Sequence, residues 1–298
     1  MHLIQFKFLK LSLPLFFIAL LACEPKEQPL TDEYFNLHKE FQQELGQGRD
    51  HYLKLVGLHP LVNGTNLFGA SEVNNIQLTS ADLPATIGAV EFSGDSIWFV
   101  ASDSLQIRFS SNDSLVSRAA FDFSDFPNSP LLKWNHLEWQ VIKRADEYFL
   151  RVKDHNSSEA GKFKGFEAYP LQSKYVLEAD YKPYKEKKTK AVNTQLGTAQ
   201  QLEFSGVLNF TIGEMALELL VSEDGFVIVG DQTNDKTTYG GGRYVYVDLP
   251  TSGGKTILDL NRLYNPPCVY SKFTTCPLPP APNVLPIEIT AGEKTTRL

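Results

Sequence analysis

The chain has 298 residues, of which 28 are basic and 35 acidic, and its formal net charge at pH 7 is −7. This balance argues against nucleic-acid binding, because no excess of basic residues is present to displace counterions from phosphates. The length is sufficient for a substantial core in one large or two small domains.

The first 22 residues predict an export signal. Lys7 and Lys10 precede an apolar run at 11–21, which is shorter than the about 20 apolar residues that a membrane-spanning helix needs. The run ends in Leu-Leu-Ala-Cys at 20–23, which resembles the lipobox of bacterial lipoproteins. The resemblance implies cleavage before Cys23 and lipidation of that cysteine. The alternative is an ordinary secretory signal with an incidental cysteine.

The residues after the lipobox bear on location. Glu24 stands where an inner-membrane retention signal would have aspartate, so the resemblance implies an outer-membrane lipoprotein of the bacterial envelope. Residues 23–30 are polar and contain prolines, which is typical of a tether. Removal of a signal that contains Lys7 and Lys10 would change the net charge from −7 to −9.

Residues 31–48 predict one amphipathic helix with its closing glycines. Thr31 is a suitable N-cap, and Gly46 and Gly48 are expected to end the helix. Four residues recur at helical spacing and predict a buried stripe. They are Tyr34, Leu37, Phe41 and Leu45.

From residue 49 onward, short runs of β-branched and aromatic residues alternate with turn residues, and no helix-strand alternation occurs. We therefore expect a mainly β fold of antiparallel sheets, as a sandwich or an open barrel, with the single N-terminal helix. The segments predict an N-terminal β subdomain at 49–125 and a C-terminal β subdomain at 126–298. Asp146 and Glu147 lie between two predicted strands and indicate a hairpin.

Residues 58–92 resemble the start of a forkhead-associated β-sandwich, through the segments at 64–69, 75–78 and 88–90. In that family an arginine that binds phosphate follows the glycine matched by Gly69, and here that position is Ala70. Phosphopeptide binding is therefore not implied. An unrelated pair of hairpins remains the alternative.

Cys268 and Cys276 are the cysteines that remain after Cys23. An exported chain meets an oxidising compartment, so we expect a disulfide between them that closes a proline-rich loop. A zinc site is the competing hypothesis. It is weak, because two cysteines need further ligands and no histidine follows His155.

The stretch at 230–294 contains an unusual series of polar, glycine and proline residues. Its segments Tyr-Gly-Gly-Gly-Arg-Tyr at 239–244, Leu-Asp-Leu-Asn-Arg-Leu-Tyr-Asn-Pro-Pro-Cys at 258–268 and Ala-Gly-Glu-Lys at 291–294 resemble the bacterial and archaeal family DUF1684. The resemblance implies one integrated domain. It implies no activity, substrate or catalytic residue.

The same stretch supplies the candidate site residues. Asp259 and Glu293 are candidate acids or bases, and each is a possible partner for an arginine. Candidate ligand-binding residues are Tyr239, Arg243, Asn261, Arg262, Asn265 and Lys294. In the functional interpretation these side chains surround an anionic or polar ligand, and the three glycines before Arg243 favour an open site. In the structural interpretation they form a satisfied network that fastens the proline-rich loop to the sheet.

Three functions follow from these patterns. The first is a lipid-anchored envelope protein that binds a small polar or anionic ligand. The second is an envelope hydrolase that uses Asp259 or Glu293, and the third is a structural interaction protein without a small-molecule site. No pattern indicates a cofactor or a metal, and no motif of a nucleophile elbow, a metalloprotease helix or a phosphate loop is present.

Overall fold

The computed structural model describes residues 29–80, 82–94, 96–123, 130–144 and 147–295. The predicted signal peptide, the lipobox with Cys23 and most of the predicted tether lie outside this range. None of the helices in the described part of the chain combines the length and apolarity that crossing a membrane requires.

The predicted N-terminal helix is present as α1, Asp32–Leu53. Thr31 caps it as expected, because its side chain accepts a hydrogen bond from the amide of Tyr34 at 3.2 Å. The helix is longer than predicted, since it continues through Gly46 and Gly48. Glycine inside a helix costs about 1 kcal/mol relative to alanine, so packing of the last turns must offset that cost.

The packing face of α1 also differs from the prediction. Leu37 is 47% exposed, whereas Arg49 and Leu53 in the last turns are buried. The inward-facing side chains recur three or four residues apart along the whole helix. They are Tyr34, His38, Phe41, Leu45, Arg49 and Leu53.

The N-terminal part of the chain folds as a β-sandwich. Strands β1 to β10 are Leu55–Pro60, Gly64–Gly69, Ile76–Gln77, Gly88–Ser93, Ser96–Ala101, Arg108–Phe109, Arg118–Ala120, Leu132–Trp134, Leu137–Arg144 and Glu147–Asp154. One sheet has the order β3-β2-β4-β5-β7 and the other β1-β10-β9-β8-β6. Phe68 and Phe99 of the first sheet pack on Trp139 of the second, with ring centroids 5.5 and 5.6 Å apart. The two sheets therefore share one core.

Strands from both sides of the predicted subdomain boundary at 126 belong to this sandwich. Strands β8 to β10 pair with β1 and β6, and β9 and β10 form the predicted hairpin. The N-terminal unit therefore extends to Asp154.

The C-terminal part contains a short helix and six further strands. Helix α2 is Glu159–Lys162, and strands β11 to β16 are Val176–Asn193, Ala199–Ile212, Met215–Val221, Phe226–Val229, Arg243–Tyr246 and Gly254–Asp259. Four strands form a sheet of order β13-β12-β11-β16, and β14 pairs with β15. Leu208, Leu219 and Leu258 are fully buried in the core between them.

The strand pairs described are antiparallel except for the short parallel pair β2-β3. The prediction of a mainly β, antiparallel fold with one N-terminal helix is confirmed, and the described strands form no closed barrel. The long loops that follow β14 and β16 carry the polar stretch that the sequence singles out.

Candidate functional site

Arg243 lies in the protein interior rather than at an open site. Its side chain is 0% exposed, and its Nη2 atom is 2.8 Å from Oδ2 of Asp231. The guanidinium also donates to the backbone carbonyls of Ile289 at 3.0 Å and Glu293 at 3.2 Å, and to that of Ala291. This position corrects the expectation that Arg243 lines an open ligand site, because the guanidinium is occupied by the protein's own C-terminal segment.

The glycines before Arg243 have a structural explanation. Gly242 has a φ of +79° and closes a turn by donating its amide to the Tyr239 carbonyl at 3.0 Å. A Cβ atom at Gly242 would lie 2.7 Å from the backbone oxygen of Val229. The turn and the close backbone approach therefore require glycine without any ligand.

Glu293 and Asn265 form a second buried group. Glu293 is 2% exposed, and its Oε2 atom accepts from Arg49 at 2.6 Å and from the Asn265 amide at 2.8 Å. Asn265 Nδ2 donates to the Lys294 carbonyl at 2.9 Å. The Lys294 ammonium lies 4.8 Å from the centre of the Tyr169 ring. This group fastens the end of the domain to helix α1.

Asp259, at the end of β16, is the centre of a third group, which contacts the first turn of α1. It accepts from the Tyr34 hydroxyl at 2.9 Å and from the Asn261 amide at 3.0 Å. Arg262 Nε is 3.3 Å from Asp259 Oδ2, which confirms one of the predicted acid-arginine pairs. Asn261 is 2% exposed and also bonds both backbone groups of Gln172. Burial and the nearby Asp259 carboxylate raise the pKa of Tyr34, which keeps its hydroxyl a donor.

The two cysteines form the fourth group. The structure contains Cys268 and Cys276 as free thiols, so it does not show the predicted disulfide, but it places them in contact. The Cys268 amide donates to Cys276 Sγ at 3.1 Å, and the Tyr239 hydroxyl lies 3.5 Å from Cys268 Sγ. Donation by the Cys268 thiol lowers the pKa of the Cys276 thiol.

The predicted residues thus separate into four groups with mostly internal partners. Both candidate catalytic carboxylates, Asp259 and Glu293, are buried and bonded to an arginine or tyrosine. Most of these side chains match the structural interpretation of the stretch. They hold the C-terminal segments against the sheet and against α1.

An open cleft lies beside these groups, between α1, the outer face of β9-β10 and the loop that follows β16. Its volume is about 340 Å³. The lining consists of arginines, aromatic residues and a short run of small polar residues. The lining residues are Leu45, Gly48, Arg49, Tyr52, Arg144, Arg151, Phe226, Tyr244, Tyr246, Tyr264, Pro267, Tyr270, Thr274, Thr275, Cys276 and Pro277.

The lining contains three arginines and no aspartate or glutamate. Arg49 is neutralised by Glu293, but neither Arg144 nor Arg151 has a carboxylate partner among the described residues. Arg144 Nε donates to Thr275 Oγ1 at 3.0 Å. Burial and the neighbouring charge of Arg144 lower the pKa of Arg151 to about 10, so the guanidinium is still charged at neutral pH but poorly solvated.

Strand geometry explains why these arginines reach the cleft. Along β9 and β10, Trp139 and Leu150 face the sandwich core, and Arg144 and Arg151 face the opposite side. Ile142 lies on that opposite side and is only 6% exposed. The outer face of the sheet is therefore covered by the C-terminal part, and its arginines lie in the interface.

Aromatic side chains form the walls of the cleft. The rings of Tyr52 and Tyr270 make an edge contact with centroids 6.4 Å apart. On the other wall, Phe226 contacts Tyr244 and Tyr246, with centroids 4.8 and 5.2 Å apart. Burial raises the pKa values of Tyr244 and Tyr270, so their hydroxyls remain protonated donors.

Other concavities differ from the cleft in charge. A larger one, of about 730 Å³, lies on the outer face of the C-terminal sheet, where Lys255 pairs with Glu178 at 2.8 Å. Another, of about 350 Å³, lies behind Arg49, where Glu293 neutralises the arginine. We favour the cleft over the larger concavity because only the cleft combines unmatched charge with aromatic walls among the pockets described.

The described histidines and Trp139 lie away from the cleft. Within the described residues, no group of three His, Cys, Asp or Glu side chains is arranged to hold a metal ion. His136 Nδ1 lies 2.7 Å from Asp154 Oδ1, and His51 Nδ1 lies 3.1 Å from Lys153 Nζ. Trp139 is fully buried in the sandwich core.

The sequence identified part of the cleft and missed the rest. Tyr264 and the segment 267–277 belong to the polar stretch that the sequence singles out. Arg144 and Arg151 were missed. The sequence carries little signal for them, because the even positions of β9 are polar apart from Ile142 and therefore predict a strand with one solvated face.

Two of three comparisons with known proteins found a match. No curated protein matches the chain. The chain is similar to an uncharacterized protein of Haloarcula marismortui, solved by NMR in solution, with 27% identity over 47% of this chain and 81% of that chain and a TM-score of 0.39. The family described as "Protein of unknown function (DUF1684)" matches residues 161–294. We refer to residues 161–294, which match this family, as the DUF1684 region; Arg144 and Arg151 reach the cleft from outside it.

Proposed function

We propose that the protein binds a small anionic ligand in the cleft between the N-terminal sandwich and the DUF1684 region. The observation that carries the proposal is the pair Arg144 and Arg151, two partly buried arginines with no carboxylate partner among the described residues. Removing a charge from water is costly unless it is paired. An anion in the cleft would supply the missing partner.

Hydrogen-bond donors support the same proposal. The lining has the Thr275 hydroxyl, which accepts from Arg144 and keeps its own proton to donate, in addition to several tyrosine hydroxyls. Arginine forks and hydroxyls suit the oxygen atoms of carboxylates and phosphates. The chain as a whole is acidic, with a net charge of −7, so this local positive charge is not a general property of its surface.

We also propose that the protein is a lipoprotein of the bacterial envelope, anchored through Cys23, with the membrane as its partner. The support is the lipobox resemblance at 20–23. Labelled fatty acid should enter the wild type and not a Cys23→Ser variant; equal labelling of both would contradict the anchor.

In the oxidising envelope, the neighbouring Cys268 and Cys276 would form the predicted disulfide. Mass spectrometry of a non-reduced digest tests the linkage, and two free thiols would refute it.

The hydrolase alternative has less support. Asp259 and Glu293 do not line the cleft, and each is held by internal hydrogen bonds. A purely structural role has the converse difficulty, because it gives no reason for two arginines beside an open cleft that have no carboxylate partner in the described part of the chain.

Calorimetric titration with inorganic phosphate at constant ionic strength tests the proposed anion site. The wild type should bind, and Arg151→Gln should bind roughly 10- to 100-fold more weakly, since hydrogen bonds to charged groups contribute about 1.5–3 kcal/mol. Arg118→Gln is the matched control, because Arg118 is more than half exposed and lies over the Trp98 ring. Equal phosphate affinity of the wild type and Arg151→Gln would refute the site.

A further inference from the structure

We propose that the ligand carries a dianionic group attached to a flat ring, with an aryl phosphate monoester as the simplest example. This inference rests on the proposed anion site and adds the charge and the shape of the ligand. Three features of the cleft support it. They are its unmatched charge, its arrangement of donors and its aromatic walls.

The charge of the lining indicates a dianion. Of the three arginines, Arg49 already has Glu293 at 2.6 Å. Arg144 and Arg151 remain, and they are close enough for the charge of one to disfavour the charge of the other. A monoanion would leave one unit of positive charge unmatched, whereas a dianion matches both.

The donors approach from different elements. Arg151 comes from β10, and Arg144 comes from β9 and is bonded to Thr275 of the opposite loop. The Thr275 hydroxyl accepts from Arg144 and keeps its own proton to donate. A tetrahedral phosphate monoester has three terminal oxygens that accept from separate directions, whereas a carboxylate has two oxygens in one plane.

The remaining space is too large for the anionic group alone. The cleft volume of about 340 Å³ is on the order of ten times the ~30 Å³ share of a water molecule. Tyr246 is 56% exposed although it contacts Phe226 on the cleft wall. Tyr52 and Tyr270 also line the cleft, so a flat ring bound there can make stacking or edge contacts with aromatic side chains.

Three probes separate charge from shape. Phenyl phosphate is a dianion near pH 8, phenyl sulfate is a monoanion of nearly the same shape, and inorganic phosphate lacks the ring. Each is titrated by calorimetry at constant ionic strength into the wild type, Arg151→Gln, Tyr246→Ala and the control Arg118→Gln.

Phenyl phosphate should bind at least about tenfold more tightly than either other probe, since one added charged hydrogen bond or one aromatic contact is worth about that factor. Arg151→Gln should remove the preference for phenyl phosphate over phenyl sulfate. Tyr246→Ala should weaken phenyl phosphate and leave inorganic phosphate unchanged.

Other outcomes overturn the inference in distinguishable ways. Equal affinities for phenyl phosphate and phenyl sulfate would reject the dianion but keep the anion site. Equal affinities for phenyl phosphate and inorganic phosphate would reject the ring. Binding of none of the three probes would reject this inference and the proposed function together.

Discussion

Two sets of buried arginines in this molecule have opposite surroundings. Arg243 is fully enclosed, has Asp231 at 2.8 Å and donates to carbonyls of the C-terminal segment. Arg144 and Arg151 are partly buried at an open cleft with no carboxylate partner described. The difference shows that an arginine in a polar stretch indicates a site only when its charge is left unmatched by the protein.

Strand alternation produces the contrast within a single strand. In β15, Arg243 and Val245 face the C-terminal core, whereas Tyr244 and Tyr246 face the cleft. A shift of one position along a strand moves a side chain to the other face. The same strand therefore supplies both a scaffold residue and two residues of the cleft wall.

The largest expected effect belongs to Arg243→Met. It leaves Asp231 buried without its cation, and breaking a buried pair in this way costs about 3–5 kcal/mol. That is a large part of a total stability of roughly 5–15 kcal/mol. Urea denaturation of Arg243→Met, the wild type and the exposed control Arg118→Met measures the loss. A loss as small as that of the control would show that Arg243 does not stabilise the fold.

Glu293→Gln should lower the stability of the fold by an intermediate amount and should also change the affinity of the cleft for phosphate. The glutamine keeps an acceptor for the Asn265 amide, but it removes the charge that neutralises Arg49. We expect a stability loss of about 1.5–3 kcal/mol from the weakened charged hydrogen bond. Phosphate affinity should rise, because Arg49 also lines the cleft. Denaturation and calorimetry on the same preparation test both parts, and an unchanged or lower affinity would contradict the second.

Arg151→Met should change stability little. No carboxylate of the described residues loses a partner, and the poorly solvated charge is removed, so the free energy of unfolding should stay within about 1 kcal/mol of the wild type or increase. Stabilisation by added phosphate should be lost. Melting curves with and without phosphate provide the measurement. A loss comparable to that of Arg243→Met would mean that Arg151 is a scaffold residue.

The smallest expected effect is a pH dependence. The pKa of Arg151 is lowered in the folded protein from 12.5 to about 10, chiefly by burial, so the unfolded state holds this proton more strongly. The resulting penalty is complete below about pH 10 and is relieved as the pH rises toward the unfolded value. The wild type should therefore gain stability relative to Arg151→Met as the pH rises from roughly 8 to 11. If the free energies of unfolding of the wild type and Arg151→Met changed in parallel over that pH range, the lowered pKa of Arg151 would be contradicted.

The sequence predicted the fold class because its signals are local. Thr31 capped the predicted helix, and the alternation of residues in the β9-β10 hairpin and in β16 was visible without tertiary information. The end of the helix was missed because Arg49 and Leu53 pack against distant segments. The pairing of β10 with β1 was not predicted, because it joins segments about ninety residues apart in the sequence.

The site was predicted only in its general location. The polar stretch that ends in Glu293 and Lys294 contributes the loop that lines the cleft, and Asp259 does pair with Arg262 as expected. The burial of Arg243 was not predicted, because the sequence does not reveal that Asp231 and three carbonyls surround it. Whether a charge is matched depends on partners that only the folded structure brings together.

The central claim is that the protein leaves Arg144 and Arg151 unmatched so that an anion can bind between them. Crystals soaked in tungstate, a tetrahedral dianion with strong anomalous scattering, test it most directly. We predict an anomalous peak within hydrogen-bonding distance of both guanidinium groups and of Thr275. A cleft without such a peak, or a carboxylate side chain bonded to Arg151 in the crystal, would contradict the account.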